Sequence, residues 1–161
     1  MSGYDLAPVQ ENDLMMMARI HAVSFDDAWS AAMIRRILST PGSFGLVARR
    51  NRQWSVAGFA LVRGVADECE LLSLAVASDQ RGRGVGSLLL AGVIQQSHSA
   101  GARKLFLEVA EDNFVARDLY DGFGFVPVGR RPDYYIRADG SKASAVTMSC
   151  DLTAAVAEAS A

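Results

Sequence analysis

The sequence predicts an α+β domain on a mixed sheet, with the element order β-α-α-β-β-β-α-β-α-β-β. Three observations carry that expectation. Strand-like runs follow one another directly in the first half of the chain, at 44–49, 55–65 and 69–77. One succession of strand, glycine-rich turn, helix and strand, over 69–110, makes a single crossover in the middle. Half of the 161 residues are hydrophobic and 21% are charged, which suffices for one buried core. The length fits a single domain over residues 1–152, with a tail at 153–161 that is expected to fray.

Tyr4 to Val9 reads as a first strand, with Pro8 suited to a strand end. Asn12 or Asp13 caps a helix to about Val23, on which Leu14, Met17, Ala18 and His21 share a face. Met15 to Met17 read as core filler. Ser30 is the N-cap of a second helix that stops before Pro41-Gly42. The strands 44–49 and 55–65 form a hairpin around Asn51-Arg52-Gln53, and Cys69 to Ala77 is the next strand. A long helix over 84–100 buries Leu88, Leu89, Val93 and Ile94 and is stopped by Gly101. A strand over 103–110 and a short helix over 113–122 follow. Strands 125–130 and 143–152, joined through Asp139-Gly140, complete the sheet.

The net charge of −2 gives no general attraction to nucleic acid. Cys69 and Cys150 lie far apart in apolar runs without metal-ligand spacing, so they read as buried free thiols and no metal is expected. The N-terminus lacks a basic stretch followed by an apolar one, and no apolar run reaches the roughly 20 residues of a membrane span. The expectation is a cytoplasmic domain with neither a membrane nor a nucleic-acid partner.

The crossover turn is the most informative segment. Arg81-Gly82-Arg83-Gly84-Val85-Gly86-Ser87 lies between a strand and a helix. A helix start carries unpaired N–H groups and a partial positive charge, and glycines let those groups converge on an anion. Arg81 and Arg83 add charge, so the turn suits a phosphate or pyrophosphate. It lacks the lysine of a Walker A loop, and its glycine spacing is not that of a dinucleotide-binding fingerprint. Alone, it is equally compatible with an ordinary helix entry bearing solvated arginines.

Its neighbours favour one reading. Across roughly 44–152, the runs ELLSLAV, RGRGVG, LFLEVAEDN and LYDGFGF resemble the GCN5-related N-acetyltransferase (GNAT) superfamily. The acyl-CoA loop of that family is Arg/Gln-x-x-Gly-x-Gly/Ala, which 81–86 matches at every fixed position. Trp29-Ser30, the run Glu70 to Val76, Leu107-Glu108-Val109, Asn113, Leu119-Tyr120 and Tyr134-Tyr135 further resemble its RimI-like branch, the ribosomal-protein-alanine N-acetyltransferases.

The resemblance implies the GNAT fold, a mixed and mostly antiparallel sheet flanked by helices. It implies acetyl-CoA as co-substrate, with its pyrophosphate on residues 81–87 and its pantetheine paired to the strand at Leu74, Ala75 and Val76. A backbone N–H near Val76 would polarise the thioester oxygen. It implies Glu108 as base and Tyr120 as acid, twelve residues apart, and Asn113 as a helix cap or pantetheine contact. A free α-amine has a pKa of about 8, so a base of modest strength suffices. A tyrosine hydroxyl, at about 10, can protonate a thiolate of about 8.5 at acceptable cost. Neither cysteine matches an acyl-enzyme position, so transfer is direct.

The implied acceptor is a protein N-terminus, that of a small-subunit ribosomal protein in the RimI-like case. Glu68, Glu70, Glu111 and Asp112 are expected near the site mouth, where they would suit a basic peptide. Ala110-Glu111-Asp112 departs from that branch, which carries arginine and serine in this stretch, and so leaves the acceptor open. A small-amine acetyltransferase and a non-catalytic acyl-CoA-binding module are the alternatives.

Overall fold

The computed structural model describes residues 3–51 and 53–160. Met1 and Ser2 at the expected leaderless start, Arg52 in the expected hairpin turn and Ala161 in the expected tail lie outside them. Seven strands form one mixed, mostly antiparallel sheet in the order β1-β2-β3-β4-β5-β7-β6. The described residues group into two compact units, one within 3–64 and 72–93, the other within 65–71 and 94–160.

In the first unit, β1 (Tyr4–Pro8) pairs antiparallel with β2 (Phe44–Arg50), and β2 pairs antiparallel with β3 (Val56–Val65). Helix α1 (Leu14–Ser24) buries Leu14, Met17, Ile20 and His21; of the expected face Ala18 is only partly buried, and Ile20 joins it. Met17 is fully buried, but Met15 and Met16 are exposed, which corrects the reading of all three as core: consecutive helical residues point about 100° apart, so one face takes one of them. Helix α2 (Ala31–Ser39) starts at Ser30, whose hydroxyl accepts from the Met33 N–H at 3.2 Å, the cap expected from sequence. Leu14, Met17, Ile20, Ile34, Val47, Phe59 and Leu61 fill the core. Asp13 is buried and is neutralised by Arg49 at 2.8 Å.

In the second unit, the start of β4 (Glu68–Val76) pairs in parallel with β5 (Lys104–Ala110), from Glu68 opposite Lys104 to Leu71 opposite Leu107. Strand β7 (Lys142–Asp151) pairs antiparallel with β5 on one side and with β6 (Val126–Ile136) on the other. Strand β6 runs six residues beyond the expected end at Arg130. It passes Pro132 because it is a sheet edge, where a missing N–H costs little, and it shifts register between Arg131 and Tyr135, with Asp133 at φ +53°.

Helix α3 (Val85–Ser99) buries Leu89, Leu90, Val93 and Ile94, so Leu90 takes the place expected for Leu88. Gly101, at φ +94°, ends it as predicted. Helix α4 is Phe114–Gly122. Where the sequence reading has a frayed tail, the chain forms α5 (Leu152–Ser160). Asp151 Oδ1 caps it, accepting from the N–H groups of Thr153 and Ala154, and the buried Leu152 anchors it. Cys69 and Cys150 are buried thiols, as expected. Among the described residues no helix is long and apolar enough to cross a membrane.

Candidate active site

The glycine-rich turn belongs to the first unit. Gly82 and Gly84 sit at φ +74° and +83°, in the left-handed region that other residues enter only at a cost. A Cβ at either position would meet nothing within 4 Å, so backbone conformation, not crowding, demands glycine here. The first bond of α3 runs from the Leu88 N–H to the Gly84 carbonyl. The amides of Val85, Gly86 and Ser87 therefore lie ahead of it, at the positive end of a 15-residue helix. The donors, the dipole and the exposed side chain of Arg83 together fit a pyrophosphate.

Arg81 does something else in this structure. Its Nε donates to the Val76 carbonyl at 3.1 Å and its Nη2 to Ser24 Oγ at 3.3 Å, so it braces the turn against the ends of β4 and α1. Tyr4 adds a second brace, donating to Gln80 Oε1 at 2.6 Å from 76 residues away. Sequence reasoning missed Tyr4, Gln80 and Ser24, for contacts this distant leave no local pattern. Leu72, Leu74 and Val76 alternate along β4 with the more deeply buried Leu71, Ser73 and Ala75. Gly58 on β3 fits closely beneath: a Cβ there would lie 2.9 Å from the Ala75 carbonyl and 3.1 Å from both Val85 and Leu89.

The second unit carries Glu108 and Tyr120. Glu108 lies on the face of β5 that also bears Phe106 and Ala110, and its side chain is 22% exposed. Arg131 of β6 is its partner, with Nε 3.1 Å from Oε1. Tyr120, in the last turn of α4, is buried and its ring tilts against Phe125 at 5.7 Å. Burial, with a smaller contribution from Tyr135, pushes its hydroxyl up to about 12. Tyr135 is raised too, first by burial and then by Glu108. Tyr135 thus lies within electrostatic reach of both expected catalytic groups, and it does so from a strand the sequence reading ended five residues earlier. Asn113 caps α4, its Oδ1 accepting from the Ala116 N–H at 3.2 Å.

The expected acidic mouth is not one cluster. Glu68 stands opposite Lys104 at the start of β5, whereas Glu111 follows its end, about 23 Å away at roughly 3.3 Å per residue. Glu68 lines a polar hollow with Asp67, Arg103, Lys104, Asp151 and Thr153. Glu111 and Asp112 are paired with Arg130 at 2.9 Å and Arg137 at 2.6 Å, and these hydrogen bonds hold both carboxyls below their usual range. Charge neutralised within the chain offers little to a basic peptide.

Comparison with known proteins identifies the family and the fold. The sequence profile of the acetyltransferase (GNAT) family matches residues 14–125. A [ribosomal protein bS18]-alanine N-acetyltransferase of Haemophilus ducreyi is 31% identical over 140 residues, 87% of this chain and 94% of that protein. The crystal structure of the Escherichia coli ribosomal-protein-S18-alanine N-acetyltransferase superposes with a TM-score of 0.83 at 26% identity, covering 92% of this chain and 94% of that one. Arabidopsis thaliana NAA60 in complex with acetyl-CoA shares the fold, with a TM-score of 0.82 at 18% identity over 93% of this chain and 99% of that one.

Proposed function

The chain belongs to the GNAT acetyltransferase family and is an N-acetyltransferase, and we propose that its acceptor is the α-amine of a protein N-terminus, that of a small-subunit ribosomal protein. The observation that carries the reading is the pair of left-handed glycines, Gly82 and Gly84, opening onto the start of α3. Acetyl-CoA, as co-substrate, supplies an activated thioester. Residues 82–87 hold its pyrophosphate with backbone amides, while Arg81 keeps the turn in shape. The extended run of Leu74, Ala75 and Val76 serves the pantetheine, with the amide near Val76 at the carbonyl oxygen.

In the transfer, the amine nitrogen bonds to the carbonyl carbon and the carbon–sulfur bond breaks. Glu108 accepts the proton that the amine gives up, and an α-amine with a pKa of about 8 makes that a mild demand. Tyr120 serves as the acid for the departing thiolate. Its hydroxyl, at about 12, stands some 3.5 pH units above a free thiol, so full proton transfer costs about 5 kcal/mol. Its first contribution is therefore a hydrogen bond to the sulfur as charge develops there, with the proton following. The same high value keeps it a donor across the working pH range.

The name of the Haemophilus ducreyi relative supports an N-terminal alanine of ribosomal protein bS18 as the acceptor, and a cytoplasmic location accords with such a substrate. The test is acetyl-CoA turnover against peptides starting with Ala, Ser or Met, beside lysine blocked at its α-amine and a polyamine. Transfer to an α-amine is the expected result, and transfer to lysine or the polyamine alone overturns the reading.

A further inference from the structure

Three guanidinium groups, two from β6 and that of Arg137 just past its end, meet three carboxylates around the end of β5, and the three pairs differ in kind. Arg130 reaches Glu111 through both Nε and Nη2 and also donates to Ser144 Oγ at 3.0 Å. Arg137 holds Asp112 at 2.6 Å. Arg131 meets Glu108 through Nε at 3.1 Å, and its side chain remains 59% exposed.

The register explains how Arg131 gets there. Glu108, Thr147 and Gly129 stand opposite one another on β5, β7 and β6, and the next row on the same face is Ala110, Ala145 and Arg131. Small residues on either side of Arg131 leave a lane along which its side chain crosses β7 diagonally to Glu108. Arg131 also opens the register shift of β6, where the step to Tyr135 on β6 matches only Ala145 to Ala143 on β7. The bulge brings Tyr134 under the guanidinium, 5.1 Å from CZ to ring centroid, which gives the cation a second resting place.

We infer that Arg131 is a displaceable counter-ion that sets acceptor affinity: it holds the Glu108 carboxylate in the free protein and is exchanged for the ammonium of the incoming acceptor. The inference rests on the assignment of Glu108 as base. A protonated α-amine is the main form near pH 7, so one cation replaces another and the local charge is unchanged. The ammonium passes one proton to the carboxylate it has just met and attacks as the neutral amine; its second proton ends on the departing sulfur by way of Tyr120. Arg131, released, stays on Tyr134, and no buried group has to move. Exposed ion pairs are worth at most about a factor of five in affinity, so the competition modulates binding without preventing it.

The full chain, Arg131→Gln and Arg131→Lys are compared in steady-state transfer to an Ala-starting peptide at saturating acetyl-CoA, at low and high salt. Arg131→Gln is expected to lower the acceptor KM about two- to five-fold with a smaller change in kcat, an advantage that shrinks at high salt. Arg131→Lys retains the competing charge and keeps KM near that of the parent chain. An unchanged or raised KM in Arg131→Gln, or a loss of kcat alone, overturns the proposal, the latter by making Arg131 a positioning residue. The Arg131 Nε–H resonance provides a readout independent of turnover. Adding the peptide, or a simple alkylammonium ion, moves it toward its position in Glu108→Gln. If the signal moves but no α-amine is acetylated, the exchange stands and the proposed acceptor fails. If neither cation moves the signal, the exchange itself is overturned.

Discussion

The Glu108 carboxylate on β5 is held by Arg131 on β6, at 3.1 Å, across the intervening strand β7. A half-buried carboxylate on an apolar strand thus has a partner, and the partner is exposed enough to leave. The pair separates two roles that one substitution could confuse, since an ion pair of this exposure contributes at most about 1 kcal/mol to stability, whereas a general base contributes a factor of 100 to 10,000 in rate.

Glu108→Gln should therefore leave the melting temperature within a few degrees of the parent chain and lower acetyl transfer about 100-fold or more. Thermal denaturation and steady-state rates, measured on the same preparation, check this. A large loss of stability with little loss of rate would make Glu108 a structural residue.

Tyr120 has an alkaline signature. Its folded pKa of about 12 lies above the ordinary 10, so between these values the unfolded chain has lost the proton while the folded one keeps it. Stability is intact below about pH 10 and falls as pH rises toward 12, by about 3 kcal/mol in all. Tyr120→Phe should flatten that slope in urea titrations at pH 9 and about 11, and it should slow acetyl transfer at pH 7 about ten-fold or more.

The glycines of the first unit make opposite predictions for different reasons. At Gly84 a Cβ meets open space, so Gly84→Ala costs about 1 kcal/mol through φ alone and weakens acetyl-CoA binding by distorting the turn. At Gly58 the added Cβ collides with the Ala75 carbonyl, so Gly58→Ala costs about 1–3 kcal/mol through overpacking. Denaturant midpoints and calorimetric titration with acetyl-CoA separate the two: Gly84→Ala should lose more affinity than stability, and Gly58→Ala the reverse.

His21, buried on α1, accepts the Trp29 N–H at Nδ1 at 3.0 Å and stacks on the Trp29 ring. Burial lowers its pKa, against a smaller opposing effect of Asp27. The unfolded chain takes up the proton first as pH falls, so stability should decline as pH drops below about 6.5. His21→Gln, which keeps an acceptor but does not titrate, should lose that acid-side slope in melts at about pH 7.5 and 5.5.

Much of this was legible in the chain itself. Element order, the Ser30 and Asn113 caps, the glycine stop of α3 and the glycine-rich turn before it are all short-range features, set by periodicity of 2 or 3.6 and by residues able to adopt unusual φ. Glu108 and Tyr120 were nameable as candidates through the resemblance of the runs around them to the GNAT family. The continuation of β6 through Pro132 was not, since proline reads as a stop unless the strand is known to be an edge. Nor was α5, whose Asp151 cap looks like the end of a strand, or the division of the acidic residues between the two ends of β5.

The sequence by itself determined which segments become strands and helices, and it displays the glycine-rich turn, the carboxylate and the phenol on which the proposed chemistry rests. Only the tertiary structure decided that Arg81 braces its turn, that Glu111 and Asp112 are neutralised by Arg130 and Arg137, and that Arg131 crosses β7 to Glu108. The reason is physical. Local conformation depends on neighbours a few residues away, which the sequence displays directly. Strand register and the charge pairs it permits depend on residues 20 or more apart, such as Glu108 and Arg131, and folding alone brings them into line.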